Sequence, residues 1–94
     1  MNPLARVPLL ARHVRRRLDP ITGQALLLYP EGALELDTPA AAMVDRCDGV
    51  SSVADIADAL AAEYSGDPLD IAKDVAACLD NLASRGLVTF GDAR

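Results

Sequence analysis

The chain has no tryptophan, two tyrosines, one phenylalanine and a single histidine among its 94 residues. With aromatics at 3% and hydrophobic residues at 51%, its core must be built from Leu, Val, Ile and Ala. A lone His13 set among arginines excludes a histidine-based catalytic or metal centre, since no acid or nucleophile flanks it. There is no Gly-rich phosphate loop and no CxxC pair. No apolar run approaches the roughly 18 residues of a membrane helix. Val7-Pro8-Leu9-Leu10-Ala11 is too short for a signal-peptide core and is followed by arginines. No membrane and a cytoplasmic location are therefore expected, with the thiols of Cys47 and Cys78 reduced and structural.

What is present is one domain's worth of chain, enough for one modest core. Its net charge of −5 conceals a division. Residues 1–17 carry five arginines and no acid, while the remaining four bases and all 14 acids give the rest −10. A basic arm on an acidic body raises the question of nucleic acid.

Residues 1–11, with Pro3 and Pro8 and no clean periodicity, read as a flexible or partner-docked N-terminal arm. His13 to Leu18 alternates weakly, as an edge strand that its arginines protect from aggregation. Asp19-Pro20-Ile21-Thr22-Gly23 supplies turn chemistry. The run Ala25-Leu26-Leu27-Leu28 reads as a short strand buried on both faces. Tyr29-Pro30-Glu31-Gly32 fits a type I turn, and Ala33–Asp37 alternates so that Leu34 and Leu36 share a face. The result is a three-stranded antiparallel meander.

The pattern then turns helical. Thr38 is placed as N-cap with Pro39 at the first helical position, and Asp48-Gly49 ends that helix. Ser52 with Asp55 starts a second helix, whose stripe is Val53, Ile56, Ala57, Leu60, Ala61 and Tyr64. Asp67-Pro68 starts a third, with Ile71, Val75, Cys78, Leu79 and Leu82 on its apolar face and Gly86 after its end. Leu87–Phe90 is a last extended segment. The expected fold is α+β, winged helix-turn-helix-like, with the domain over 12–90 and a tail at 91–94.

Winged helices usually read DNA, and a DNA-binding regulator is the alternative reading. The charges oppose it. The second helix carries Asp55, Asp58 and Glu63 with no base, and the third has a net charge of −2. A recognition helix must neutralise phosphates and offer Arg, Asn or Gln to base edges. An acyl-carrier protein is opposed by the early strands and by Ser51-Ser52-Val53, which lacks the Asp-Ser-Leu order. The remaining reading is a non-enzymatic module that holds another polypeptide against an exposed strand edge.

The ordered series Tyr29-Pro30-Glu31-Gly32, Leu36, Cys47-Asp48-Gly49, Ile56, Asp74-Val75, Leu79, Leu82 and Gly86-Leu87-Val88 resembles the pyrroloquinoline quinone (PQQ) biosynthesis protein D family. The resemblance covers roughly residues 8–90, and one departure is Asp37 where the family often has Asn. It implies a peptide chaperone of the kind that recognises ribosomally made, post-translationally modified peptides (RiPPs). In such proteins the precursor's leader lies as an added strand beside the third strand, in a cleft formed with the third helix. The chaperone delivers it to a radical S-adenosylmethionine (SAM) enzyme, which crosslinks its Glu and Tyr. Carried onto this chain, the resemblance implies a peptide site at Ala33, Leu34, Glu35, Leu36 and Asp37, walled by Ile71, Asp74, Val75 and Cys78. No cofactor or metal is implied, and the exposed edge and apolar arm leave a homodimer open.

Overall fold

A computed structural model describes residues 3–91. After a short 3₁₀ turn at Pro3–Ala5 come β1 (Val7–Leu10), β2 (Arg15–Leu18), β3 (Ala25–Tyr29) and β4 (Gly32–Leu36). Then follow α1 (Thr38–Asp45), α2 (Val53–Tyr64), α3 (Pro68–Ser84) and β5 (Val88–Gly91). The fold is α+β with two antiparallel sheets, one ordered β2-β3-β4 and the other β1-β5.

The meander is set by its turns. Between β2 and β3 the Asp19 carboxylate accepts the N–H groups of Ile21 (2.8 Å) and Thr22 (3.3 Å), and Gly23 takes the left-handed φ of +75°. Between β3 and β4 only Pro30 and Glu31 lie outside the ladder, with Tyr29 opposite Gly32. The register places Arg16, Leu27 and Leu34 in one row across the sheet, all on the face toward the helices. Leu27 is 0% exposed and Leu36 is buried, whereas Leu26 and Leu28 are only half-buried. The run expected to be buried on both faces is thus buried on one. Burying Leu27 alone stabilises the fold by about 1.5–3 kcal/mol.

Each helix starts at a side-chain cap. The cap of α1 is Asp37 rather than the expected Thr38, with its carboxylate 2.8 Å from the Ala40 N–H. Both residue types serve as caps, and here the chain enters the helix one residue early. Asp37 therefore ends the edge strand and begins α1 at once. Ser52 and Asp55 form the reciprocal capping box of α2. The α2–α3 turn passes through Ser65 at a left-handed φ of 56° and then Gly66. A Cβ on Gly66 would sit 2.5 Å from Ile71 Cδ1, so that glycine lets the turn close on Ile71.

The stripes of α2 (Val53, Ile56, Leu60) and α3 (Val75, Leu79, Leu82) meet Leu27, Leu36 and Met43 in one core. Residues 7–10, expected within a flexible arm, form β1 instead. Val7 and Pro8 are buried, and β1 pairs with β5 from Val7 opposite Gly91 to Leu10 opposite Val88. The Arg6 carbonyl accepts the Val53 N–H at 2.9 Å, and the Pro8 carbonyl accepts the Gly49 N–H at 3.1 Å. Arg6 also pairs with Asp80 at 2.8 Å and lies 4.0 Å above the Phe90 ring.

Candidate functional site

The backbone of β4 defines the site. Tyr29 and Gly32 flank a two-residue loop, and such flanking residues form a hydrogen-bonded pair. Alternation along the ladder extends that role to Leu27 with Leu34 and to Ala25 with Leu36. The Gln24 carbonyl agrees with this phase, since it accepts from Asp19 N–H on the β2 side. Ala33 and Glu35 consequently turn their N–H and C=O groups away from β3. Among the described residues no strand pairs with that edge. It can accept a further strand through main-chain bonds.

Beyond the end of β4 the surface is concave. A groove of about 220 Å³ lies between α1, α2 and α3, walled by Pro39, Met43, Leu60, Tyr64, Ile71 and Asp74. A wider depression of about 720 Å³ runs from Leu36 and Asp37 past Asp45 to the Arg46–Glu63 ion pair. Its lining mixes polar and apolar groups and it opens broadly to solvent, so the narrower and mostly apolar groove is the better receptor for a peptide side chain.

The residues expected at the site fall in two places, the open edge and the wall of the groove between the helices. Ala33, Glu35 and Asp37 are exposed on the open edge, Leu34 is half-buried, and Leu36 points into the core. Ile71 and Asp74 stand on the groove wall. Cys78 is half-buried, and its thiol is held above its ordinary range by burial and then by the negative charge of Asp37. Val75 corrects the expectation: it is 0% exposed, so its side chain belongs to the core and a docked peptide cannot reach it. Pro39, Met43 and Tyr64 were not expected at the site. Their part in it arises where three helices meet, which no local spacing encodes.

The other notable polar groups are occupied by folding. The Asp48 carboxylate accepts the N–H groups of Ser51 (2.8 Å) and Val50 (2.9 Å), which hold its pKa below the ordinary carboxylate value. Asp19 is lowered in the same way by Ile21 and Thr22. Among the described residues no group of three or more His, Cys, Asp and Glu could hold a metal ion. No helix among them is long and apolar enough to cross a membrane.

Cys47 is buried, donates to the Met43 carbonyl at 3.4 Å, and has its pKa pushed to about 12, first by desolvation and then by Cys78, Asp48 and Asp45. The folded protein holds this proton more tightly than the unfolded chain does. The resulting stability is complete below the ordinary thiol value of 9.0 and is lost as pH rises from there toward 12. Alkylation at pH 8 followed by peptide mass mapping should modify Cys78 first and Cys47 only on unfolding. Equal rates for the two would contradict this burial.

A small α+β domain with an open sheet edge and an apolar groove past the strand's end offers the geometry that strand addition by a peptide needs. The sequence model of the family described as coenzyme PQQ synthesis protein D (PqqD) matches residues 24–88. The chain belongs to the PqqD family. It is 42% identical to a Rhodopseudomonas palustris protein named PqqA binding protein, over 87% of this chain and 80% of the relative. A Xanthomonas axonopodis protein of the same name is 40% identical over 86% and 88%. Among solved structures, the solution structure of the PqqD portion of Methylobacterium extorquens PqqCD superposes with a TM-score of 0.77 at 35% identity, covering 95% of this chain and 99% of that one. That portion is described as a functional, stand-alone RiPP recognition element. The crystal structure of PqqD from Xanthomonas campestris gives a TM-score of 0.59 at 38% identity, covering 83% and 87%.

Proposed function

We propose that this chain binds the PqqA precursor peptide by strand addition along β4 and presents it to the enzyme that modifies it. The observation that carries the reading is the unpaired edge at Ala33 and Glu35, and the groove that Ile71 and Asp74 line begins at Thr38, just past the end of that strand. The names of the relatives support a peptide as the ligand. The resemblance set out above points to a radical SAM enzyme as the receiver, and the lack of a signal-peptide core in the sequence favours the cytoplasm as the setting. The chain itself performs no chemistry. Its contribution is proximity, since tethering a flexible peptide raises its local concentration to about the millimolar range.

A nucleic-acid partner is opposed by the exposed carboxylates Asp55, Asp58 and Glu63 on α2 and Asp70 and Asp74 on α3. Titrating the isotope-labelled chain with PqqA should shift amides at 33–37 and 68–80. Shifts confined to residues 52–64 would overturn the assignment.

A further inference from the structure

The register of the sheet fixes which side chains a strand added to β4 would meet. On the outer face the rows are Arg17-Leu26-Glu35 and Arg15-Leu28-Ala33, and between them the row toward the helices is Arg16-Leu27-Leu34. A further strand lengthens each row by one residue. Every strand pairing among the described residues is antiparallel. An antiparallel newcomer would form hydrogen-bonded pairs with Glu35 and Ala33, with Cα atoms about 5.5 Å apart. The peptide residues opposite Glu35, Leu34 and Ala33 then follow one another in chain order. Each meets a different surface. Glu35 is exposed, and the ion pairs among the described residues engage Asp80, Asp45 and Glu63 but not Glu35. Its neighbour across the ladder is apolar Leu26, and Arg17 lies two strands away, about 10 Å. Leu34 is half-buried and packs against the core, so the residue opposite it is directed over apolar surface. Ala33 is exposed and ends in a methyl group, which leaves room above it toward half-buried Leu28.

We propose that the β4 edge selects a peptide segment of the order basic, apolar, large apolar, with Glu35 choosing the basic residue. This rests on strand addition along β4, the reading given under Proposed function. Opposite charges directly across an antiparallel pair stabilise it, and like charges oppose it. An acidic side chain opposite Glu35 would also meet the field of Glu31 and Asp37, both exposed at the two ends of the same strand. A large side chain opposite Ala33 can lean over the methyl group onto Leu28 and remove apolar surface of both from water. The main-chain ladder is blind to sequence, so these three contacts set the register. A slip of one residue would turn the basic side chain toward the helices and an apolar one toward Glu35.

The test uses the isotope-labelled full chain with PqqA. Nuclear Overhauser contacts to residues 33–35 identify the peptide residue opposite each. Lys or Arg is expected opposite Glu35, an apolar residue opposite Leu34, and Leu, Met or an aromatic opposite Ala33. PqqA variants carrying Lys, Ala or Glu at the first of these positions are then titrated by calorimetry. The wild-type chain should prefer the Lys peptide to the Glu peptide by about fivefold, with Ala between, and the preference should shrink with added salt. Glu35→Lys should reverse that order. Glu35→Gln keeps the side chain's shape and should erase most of the preference, so the test does not depend on the reversed chain alone. Asp58→Lys, the same change of net charge on the exposed face of α2, should keep the wild-type order. Circular dichroism and a thermal melt check that each variant is folded. An acidic residue opposite Glu35, a parallel peptide, or an undiminished Lys-over-Glu preference in folded Glu35→Gln overturns the inference and leaves strand addition standing. Absence of any peptide contact to residues 33–35 overturns strand addition at β4, and the inference with it.

Discussion

Glu35→Pro should abolish PqqA binding while leaving the protein folded. Glu35 sits in β4 with its N–H turned away from β3, toward the open edge (Tyr29 opposite Gly32 sets the phase). Proline removes that donor and places a ring where the incoming strand must approach. The lost hydrogen bond costs about 0.5–1.5 kcal/mol, and exclusion of the neighbouring strand brings the total above tenfold in affinity. Glu35→Ala keeps the backbone intact and should change binding by under about 0.5 kcal/mol, as exposed substitutions usually do. Leu34→Pro is the informative control. Its N–H points into the β3–β4 ladder, so that variant should lose the sheet and melt at a markedly lower temperature. Calorimetry with PqqA and thermal melts of all three separate the outcomes. Wild-type affinity in a folded Glu35→Pro chain would exclude strand addition at β4.

Val75→Asp should leave the chain without a cooperative melt. Val75 is wholly buried on α3 within the single core that joins the sheet to the helices. A carboxylate there must either lose its hydration or take up a proton, at a cost of several kcal/mol. Total stability for a domain of this size is about 5–10 kcal/mol, so one such change removes most of it. Asp74 is the adjacent residue in sequence but is exposed on the groove wall. Asp74→Ala should keep the melting temperature within a few degrees. A Val75→Asp chain that melts like wild type would return that side chain to the cleft.

The open edge and the buried core were not equally legible in the sequence. The alternation in Ala33–Asp37 was enough to place Leu34 and Leu36 on one face and Ala33 and Glu35 on the other. The capping box at Ser52 and Asp55 and the stripe of α2 were likewise readable, since caps and periodicity are local properties. The same locality explains two displacements. Asp37 and Thr38 are adjacent and chemically equivalent as caps, so only the path of the chain selects Asp37. On α3, period 3.6 puts Ile71, Val75 and Cys78 on one stripe, yet a stripe wider than the contact leaves its margins half-exposed. Packing put Val75 at the centre and Ile71 and Cys78 at the margins.

By itself the sequence determined the order of β2 to α3, the meander, the acidic helices and the arginines that stand apart from them. Each of these depends on neighbours a few residues away, where turn chemistry, capping and charge act. The tertiary structure decided what depends on distant partners. β1 becomes a strand because β5 lies beside it, with Leu9 opposite Thr89. Neither short segment carries enough periodicity to declare that pairing alone. The groove was decided in the same way, because Pro39, Tyr64 and Ile71 come from three helices whose approach is set by shared burial of apolar surface. Hydrophobic attraction is non-directional, so the pattern of apolar residues says which faces must be covered but not which element covers them.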